Sequence, residues 1–286
     1  MPNGPILDSH VHIWDPLRMR IPWLDDIPAL NQQLWLDDYG VATEGLDIEG
    51  FVYLQVEVAT PYALIEAIEI AELSRLNPTI QGVVPWAPLE FGDRCRAFLQ
   101  HLQRIGPEIK GVRRIVQDEP DPEFCLQPGF VRGNQLLAEF GLSSDLCCNF
   151  RQLAANVELV RRCPETRFIM DHLAKPGIRD DLFQPWADQL RELASLPNCF
   201  CKVSGVVTEA DHETWTIDDI KPYVWHTLEV FGEDRVAFGS DWPVVTQASS
   251  YKRWVETLDE LTQDLSDEAK RKLWRENGRR FYRLDA

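Results

Sequence analysis

The sequence predicts an α/β protein of the (β/α)₈ TIM-barrel class, with residues 1–286 forming a single barrel domain. Short apolar runs alternate with longer amphipathic stretches, which is the pattern of repeated βα units around a parallel sheet. Eight such runs can be counted, the number that closes a barrel. The 286 residues, 44% hydrophobic and 26% charged, are sufficient for one large core. No Gly/Ser-rich or charged linker suggests a domain boundary.

The eight predicted strands are short apolar segments separated by enough residues to hold a helix. They are Ile6–His12, Phe51–Glu57, Ile80–Ala87, Ile109–Ile115, Leu142–Cys147, Arg167–His172, Cys199–Ser204 and Arg235–Ser240. In a barrel of this class the carboxyl ends of the strands face the active site. Residues at those ends are therefore the first candidates for function.

Segments with helical spacing lie between the strands. They are Tyr62–Leu76, Asp93–Gln103, Leu153–Cys163, Leu182–Leu196 and Ile217–Phe231, with a final pair near Tyr251–Leu261 and Asp267–Arg275. Ser266, followed by two acidic residues, predicts an N-cap for the last of these helices. The Pro/Trp-rich segment Trp14–Trp35 has few helix or strand signals, and its place after the first strand predicts a loop that covers the substrate.

Composition excludes several classes of function. The 46 acidic and 29 basic residues give a formal charge of −17, which argues against nucleic acid as a partner. The seven cysteines include no C-x-x-C pair, and no secretory leader precedes them, so we expect a reduced, cytoplasmic setting. No run of roughly 18 apolar residues occurs, so no membrane span is expected.

The sharpest motif is the run Asp8-Ser9-His10-Val11-His12 on the first strand. Side chains two residues apart in a strand share a face, so His10 and His12 are expected to project together from one strand end. Two imidazoles in this position can bind a divalent metal or hydrogen-bond a substrate oxygen; packing histidines are the alternative. Asp8 lies one step deeper on the same face, where a supporting role is expected.

Two further candidates follow later strands. His172 ends the apolar run that begins at Phe168, and Asp241 lies just beyond the last strand. Taken separately, His172 could be a strand cap and Asp241 a solvated turn residue. Because strands one, six and eight end at the same rim, we expect these residues and the first histidine pair to meet in one catalytic site.

Together these motifs resemble the amidohydrolase-related (amidohydrolase 2) family, and specifically its sugar-lactonase branch of L-fuconolactonases and L-rhamnonolactonases. The resemblance spans essentially the whole chain. It rests on residues 8–15, 110–113, 117–120, 171–176, 202–205 and 239–244. It implies an amidohydrolase-type barrel, a hydrolase, and a small-molecule lactone as substrate, either a sugar aldonolactone or a related cyclic ester.

The metal ligands depart from those of the wider superfamily. Its two-metal members use a lysine carboxylate on strand four and a histidine on strand five, whereas here Arg113 occupies strand four and strand five contains no histidine. One zinc ion with an open position remains feasible, held by His10, His12 and Asp241. Cys147 is a further candidate ligand, with a buried small hydrophobe as the alternative. Since cationic side chains can replace an ion in polarising an ester, we expect Zn to be optional.

The resemblance also implies roles for individual residues. Asp241, helped by His172, is predicted to take a proton from the water that attacks the lactone carbonyl. Arg113, His10 or His12 would then stabilise the oxyanion. Core packing or surface pairing is the alternative for each of the predicted substrate-binding residues, Arg113, Trp14, Trp242 and Lys202, and for the further stacking candidate Trp23.

Two rival functions remain open at this stage. The strongest competitor is a metal-dependent decarboxylase of an unsaturated carboxylic acid, which would require a tightly bound metal. A non-catalytic sugar-binding barrel is the other, and it would retain binding when Asp241 is changed to Asn.

Overall fold

A computed structural model describes residue 2 and residues 4–284 of the chain. Within these residues, parallel strands alternate with helices from beginning to end. The strands are β1 (Ile6–Val11), β2 (Ile48–Leu54), β3 (Ile80–Val84), β4 (Gly111–Arg113), β5 (Ser143–Leu146), β6 (Phe168–Met170), β7 (Cys199–Val203) and β8 (Val236–Phe238). The helices are α1 (Leu36–Ala42), α2 (Ala63–Leu76), α3 (Arg96–Ile105), α4 (Pro128–Glu139), α5 (Leu153–Arg162), α6 (Trp186–Ala194), α7 (Ile217–Phe231), α8 (Tyr251–Leu261), α9 (Asp267–Arg271) and α10 (Asn277–Tyr282).

The strands lie side by side in chain order, in sheets β1-β2-β3 and β4-β5-β6-β7-β8. Two parallel bridges join the edges of these sheets: Val83 to Ile109 and Val11 to Trp242. At the second junction the His12 N–H donates to the Trp242 carbonyl (2.8 Å), and the Asp241 N–H donates to the His10 carbonyl (2.9 Å). The chain therefore adopts the predicted (β/α)₈ barrel, and its first strand meets its last at a seam formed by these residues.

The helices pack against the outside of the barrel through one apolar face. In α8 the buried residues recur every three or four positions: Tyr251, Trp254, Val255, Leu258 and Leu261. Burying a large apolar side chain of this kind contributes about 1.5–3 kcal/mol, so such a face is enough to hold a helix on the sheet. None of the helices in the described part of the chain is both long enough and apolar enough to cross a membrane.

All eight predicted strands are present, with ends that differ from the predicted ones by a few residues. Helices α7 and α8 have the predicted bounds, whereas α1, α4 and α10 were not predicted. Glycine explains why α4 is hard to recognise. A Cβ at Gly133 would lie 2.1 Å from the Leu89 carbonyl oxygen, so close packing of α4 on the segment that follows β3 requires a residue that lowers the helical signal.

Candidate active site

A cavity of about 290 Å³ opens where the carboxyl ends of the strands meet. Its walls come from segments that directly follow β1, β2, β4, β5, β6 and β8. Its charged and imidazole-bearing walls include His12, Glu57, Arg113, His172, Lys175 and Asp241. The Trp14–Trp35 loop contributes Trp23 and Ile27 to the same cavity, in agreement with its expected position over the site.

His10, His12 and Asp241 form a tight buried group at the floor of the cavity. The Nε2 atoms of the two histidines are 3.2 Å apart. Asp241 Oδ1 lies 3.3 Å from His12 Nε2 and 3.6 Å from His10 Nε2. His12 Nδ1 is 2.8 Å from the Leu54 carbonyl, which only accepts hydrogen bonds, so Nδ1 donates and the Nε2 lone pair faces the group.

These three atoms suit a zinc ion. Ligand atoms at two corners of a tetrahedron with zinc bonds of about 2.0–2.1 Å are about 3.3–3.4 Å apart, close to the separations observed. A fourth position would remain for water or substrate. The fixed tautomer of His12 is also the arrangement that outer partners impose on metal-binding histidines. One feature opposes tight binding: Arg113 Nη1 lies 3.0 Å from His10 Nε2, and its positive charge would repel the ion.

Beneath the floor lies a buried charged network that contains Lys202. Its Nζ is 2.7 Å from Asp145 Oδ2, 2.9 Å from Asp171 Oδ1 and 3.2 Å from His10 Nδ1, and all four side chains are fully buried. The structure therefore places Lys202, a predicted substrate-binding residue, beneath the floor and outside the lining of the cavity. Burial would raise the pKa of Asp171, but Lys202 and His10 hold it well below its ordinary value.

Asp8 joins this framework at the seam. Its Oδ1 accepts a hydrogen bond from the Ser240 N–H (2.8 Å), and its Oδ2 accepts one from the Tyr251 hydroxyl (3.0 Å). It therefore links β1, the end of β8 and α8. This is the supporting position expected from its place one step below the histidines.

His172 is oriented by Ser204. His172 Nδ1 is 2.9 Å from Ser204 Oγ and 3.3 Å from the Ser204 carbonyl oxygen. The carbonyl cannot donate, so we assign the proton to Nδ1, which leaves the Nε2 lone pair available. Burial lowers the pKa of His172 to about 4, with Lys175 and Arg113 adding to the effect and Asp241 opposing it. The imidazole is therefore neutral at pH 7.

Asp241 is ionised. Burial alone would raise its pKa, but hydrogen bonding to His12 and the electrostatic influence of the three histidines hold the pKa well below its ordinary value. Asp241 Oδ2 lies 3.9 Å from His172 Nδ1. The site thus places a permanent carboxylate beside a neutral imidazole.

Backbone strain is concentrated at the cavity. Four of its non-glycine lining residues have positive φ: Glu57 (54°), His172 (51°), Lys175 (46°) and Asp241 (61°). Residues 172–175 form a continuous left-handed turn that begins two residues after the end of β6. Such conformations cost about 1–3 kcal/mol each and persist where surrounding structure enforces them, most often at functional sites.

Arg113 is held rigidly at the cavity wall. Its Nη2 donates to the Gln55 carbonyl (2.5 Å), and its Nη1 contacts His10 Nε2 and, at 3.4 Å, Asp171 Oδ2. Although only 3% exposed, it lines the cavity. It therefore presents a fixed positive charge beside the histidine pair.

The structure does not bring Trp14 or Trp242 into the cavity. The Trp14 indole N–H donates to the carbonyls of Leu30 and Gln32, both at 3.1 Å, and Trp242 packs against Tyr39 in the core. Both rings, predicted to stack on the substrate, therefore lie outside the cavity lining. Trp23, whose indole N–H donates to the Val56 carbonyl (2.8 Å), is the tryptophan that lines the cavity.

Cys147 lines the cavity but is outside the convergent ligand groups found among the described residues. Burial raises its pKa to about 12, so without a metal ion the thiol is protonated at neutral pH.

Sequence reasoning missed Lys175 and Glu57 as lining residues. Lys175 Nζ pairs with Glu209 Oε1 at 3.1 Å, and this carboxylate raises the lysine pKa despite the opposing effect of burial. The sequence nevertheless contained a signal by which both residues could have been predicted. Glu57 ends the second predicted strand, and Lys175 belongs to the motif that follows the sixth, so the rim argument that selected Asp241 applies to them equally.

Comparison with known proteins agrees with this geometry. The Amidohydrolase family model matches residues 7–284. An L-fucono-1,5-lactonase from Burkholderia ambifaria is 31% identical over 284 residues, which cover 98% of this chain and 96% of that protein. An L-rhamnono-gamma-lactonase from Scheffersomyces stipitis is 24% identical, with 99% and 100% covered.

Among solved structures, an amidohydrolase from Burkholderia multivorans crystallised with bound zinc has a TM-score of 0.89 and 28% sequence identity. The match covers 98% of this chain and 100% of that one. A family match over nearly the whole chain, together with this structural similarity, establishes that the chain belongs to the amidohydrolase family.

Proposed function

We propose that this chain hydrolyses a lactone, either a sugar aldonolactone or a related cyclic ester, through attack of water on the carbonyl carbon. The observation that carries the proposal is one cavity lined by an ionised carboxylate, a neutral imidazole and a guanidinium, from Asp241, His172 and Arg113. Relatives that match almost the entire chain are named as lactonases. The volume of about 290 Å³ is at the lower end for ligand pockets and suits a monosaccharide-sized molecule.

In the proposed reaction, Asp241 and His172 orient the attacking water and take up its proton. Because the pKa of Asp241 is held so low, its carboxylate serves better as a hydrogen-bond acceptor and counter-charge than as the final proton acceptor. The available Nε2 of His172 receives the proton in this scheme. The imidazolium that forms is then stabilised by the carboxylate oxygen 3.9 Å from Nδ1. This assigns to His172 the role that the sequence suggested for Asp241.

Arg113 supplies positive charge where the carbonyl oxygen becomes an oxyanion. Its guanidinium is already fixed by protein contacts, so little reorganisation is needed during the reaction. His172 then returns its proton to the ring oxygen, and the lactone opens to a hydroxy acid. When bound to His10, His12 and Asp241, a zinc ion would add Lewis-acid polarisation of the carbonyl.

The test is a panel of aldonolactones and other cyclic esters assayed by proton release, with and without a chelator. We expect at least one lactone to be hydrolysed. The proposal fails if no lactone is opened and unsaturated carboxylic acids instead release carbon dioxide in a chelator-sensitive reaction. Sugar binding without turnover, unchanged in Asp241→Asn, would indicate the non-catalytic alternative.

A further inference from the structure

The cavity contains more negative than positive side chains. Its charged lining residues are the carboxylates Glu57, Asp118 and Asp241 and the cations Arg113 and Lys175. Three carboxylates therefore face two cationic side chains in the cavity lining. Asp241 is part of the proposed reaction centre, whereas the other two carboxylates have no role in it.

Both cations are already engaged by the protein. Arg113 contacts Asp171 Oδ2 (3.4 Å) and the Gln55 carbonyl (2.5 Å). Lys175 pairs with Glu209 Oε1 (3.1 Å). An anionic group on a substrate would have to compete with these partners while facing the cavity carboxylates, so the charge distribution favours an uncharged ligand.

Glu57 is the carboxylate most clearly built into the wall. It follows β2 with a left-handed backbone (φ 54°), and the Gln55 side chain fixes it from both directions. Gln55 Oε1 accepts from the Glu57 N–H (2.5 Å), and Gln55 Nε2 donates to Glu57 Oε1 (2.9 Å). Its partner is therefore an amide and not a cation. Arg113, on the same cavity wall, interacts with this carboxylate electrostatically, and the carboxylate keeps acceptor capacity for hydroxyl groups.

We propose that Glu57 is a specificity-determining residue, which binds hydroxyl groups of an uncharged polyhydroxylated lactone and repels lactones that carry a carboxylate. This inference rests on the proposed lactone hydrolysis. Asp118, which is exposed at the rim and accepts from Gln117 Nε2 (3.2 Å), contributes to the same repulsion more weakly because solvent screens it.

The experiment compares matched pairs of lactones that differ only in one group. Aldono-1,4-lactones of the gluco, galacto and manno series end in CH₂OH, and the corresponding aldaro-1,4-lactones end in a carboxylate. The wild-type chain, Glu57→Gln, Asp118→Asn and the exposed control Glu44→Gln are assayed on every pair.

We expect the wild type to prefer the uncharged member. Glu57→Gln should raise KM for the preferred lactone about tenfold, because a charge-assisted hydrogen bond is weakened, with kcat changed less than about threefold. The same variant should lower KM for the carboxylated partner. Asp118→Asn should shift the ratio in the same direction by a smaller factor, and Glu44→Gln should leave it unchanged.

A second measurement uses only the wild type and does not depend on the folding of a variant. Added salt should lower KM for carboxylated lactones by screening the repulsion and leave KM for uncharged lactones unchanged. The inference is overturned if the wild type prefers carboxylated lactones, if salt raises their KM, or if folded Glu57→Gln keeps the wild-type ratio. Absence of activity on any lactone overturns the proposed function as well.

Discussion

Asp241 and His172 show how a buried site can fix two protonation states with one set of neighbours. The histidines lower the pKa of the carboxyl group, while burial lowers the pKa of His172 to about 4. Each group therefore keeps one protonation state around neutral pH: the carboxyl group is ionised and the imidazole is neutral. In the proposed reaction this constancy matters, because the carboxylate must be charged at the same time as the imidazole is able to accept a proton.

The role of Asp241 is tested by Asp241→Asn. The amide keeps the shape of the side chain but removes the charge that would stabilise an imidazolium, so kcat should fall at least about a hundredfold. Initial rates on the best lactone of the panel provide the measurement. Asp26→Asn, at an exposed position, is the control. A kcat within tenfold of the wild type, in a variant with normal thermal unfolding, would contradict the assignment.

Trp23 and Trp14 provide a second test at this scale. Trp23 lines the cavity, whereas Trp14 is 2% exposed and outside it. Trp23→Ala should raise KM about tenfold through loss of contact area with the substrate. Trp14→Phe should lower the melting temperature and leave KM unchanged. A raised KM in Trp14→Phe with an unchanged KM in Trp23→Ala would instead support substrate contact by Trp14.

The sequence predicted that His10, His12, His172 and Asp241 would share one rim, and the barrel brings them together. It did not predict how deep each side chain lies. Strand alternation predicts that Lys202 in β7 and Ser204 just after it share one face, but only the packed barrel shows that the lysine lies beneath the floor beside Asp145. Depth depends on the radius and tilt of the whole ring, which local sequence does not encode.

At the level of elements, the left-handed turn at residues 172–175 is the feature that shapes the site. Its first and last residues, His172 and Lys175, both line the cavity. Gly205, after β7, makes room for this arrangement. A Cβ at Gly205 would lie 2.8 Å from both Asp241 Oδ2 and His172 Nδ1.

Gly205→Ala should therefore damage activity and stability together. The backbone has a φ of 61°, and the added methyl group has no space, so we expect a loss of about 1–3 kcal/mol and at least a hundredfold lower kcat. Gly141→Ala is a matched control, since φ is 67° and nothing lies within 4 Å. That variant should lose stability alone. Denaturant unfolding and initial rates, measured on both variants, separate the effect of backbone strain from that of steric clash. Equal activities of Gly205→Ala and Gly141→Ala would refute the prediction.

Element boundaries were predictable where periodicity was strong. Helices α7 and α8 were predicted at their observed bounds because their apolar positions recur regularly. Helix α4 was missed because glycines that permit its close packing also weaken the helical pattern. The same glycines thus explain both the close packing of α4 and the failure to predict it.

For the whole molecule, Glu66 makes stability depend on pH. Its Oε1 accepts from the Tyr53 hydroxyl (2.7 Å) and the Val56 N–H (2.8 Å), and burial raises its pKa from 4.5 to about 7. The folded chain thus holds this proton more tightly than the unfolded chain does. Its contribution to stability is complete below pH 4.5 and declines as pH rises toward 7, by about 3 kcal/mol in total.

Glu66→Gln should remove this dependence, because the amide is neutral at every pH. The free energy of unfolding, measured in urea from pH 5 to 8, should fall more steeply for the wild type than for the variant. Glu44→Gln, at an exposed position, should follow the wild type. Parallel curves for the wild type and Glu66→Gln would contradict the assignment.

Zinc binding can also be tested on the whole molecule without an activity assay. If His10, His12 and Asp241 bind the ion, zinc should raise the melting temperature of the metal-stripped protein by a few degrees at concentrations well above its dissociation constant. His12→Asn should reduce the shift. An equal rise in melting temperature in the wild type and in His12→Asn would indicate that zinc binds at another site.

The seam between β1 and β8 implies an order of assembly. Asp8 bonds to Ser240, 232 positions away, and the His10 carbonyl accepts from Asp241 at the same junction. During synthesis on the ribosome, His10 and His12 are made early, and Asp241 joins them only after the eighth strand has been made. Catalytic activity therefore requires the complete eight-stranded barrel. Fragments that end after the seventh strand lack Asp241 and should be inactive even if their helices form.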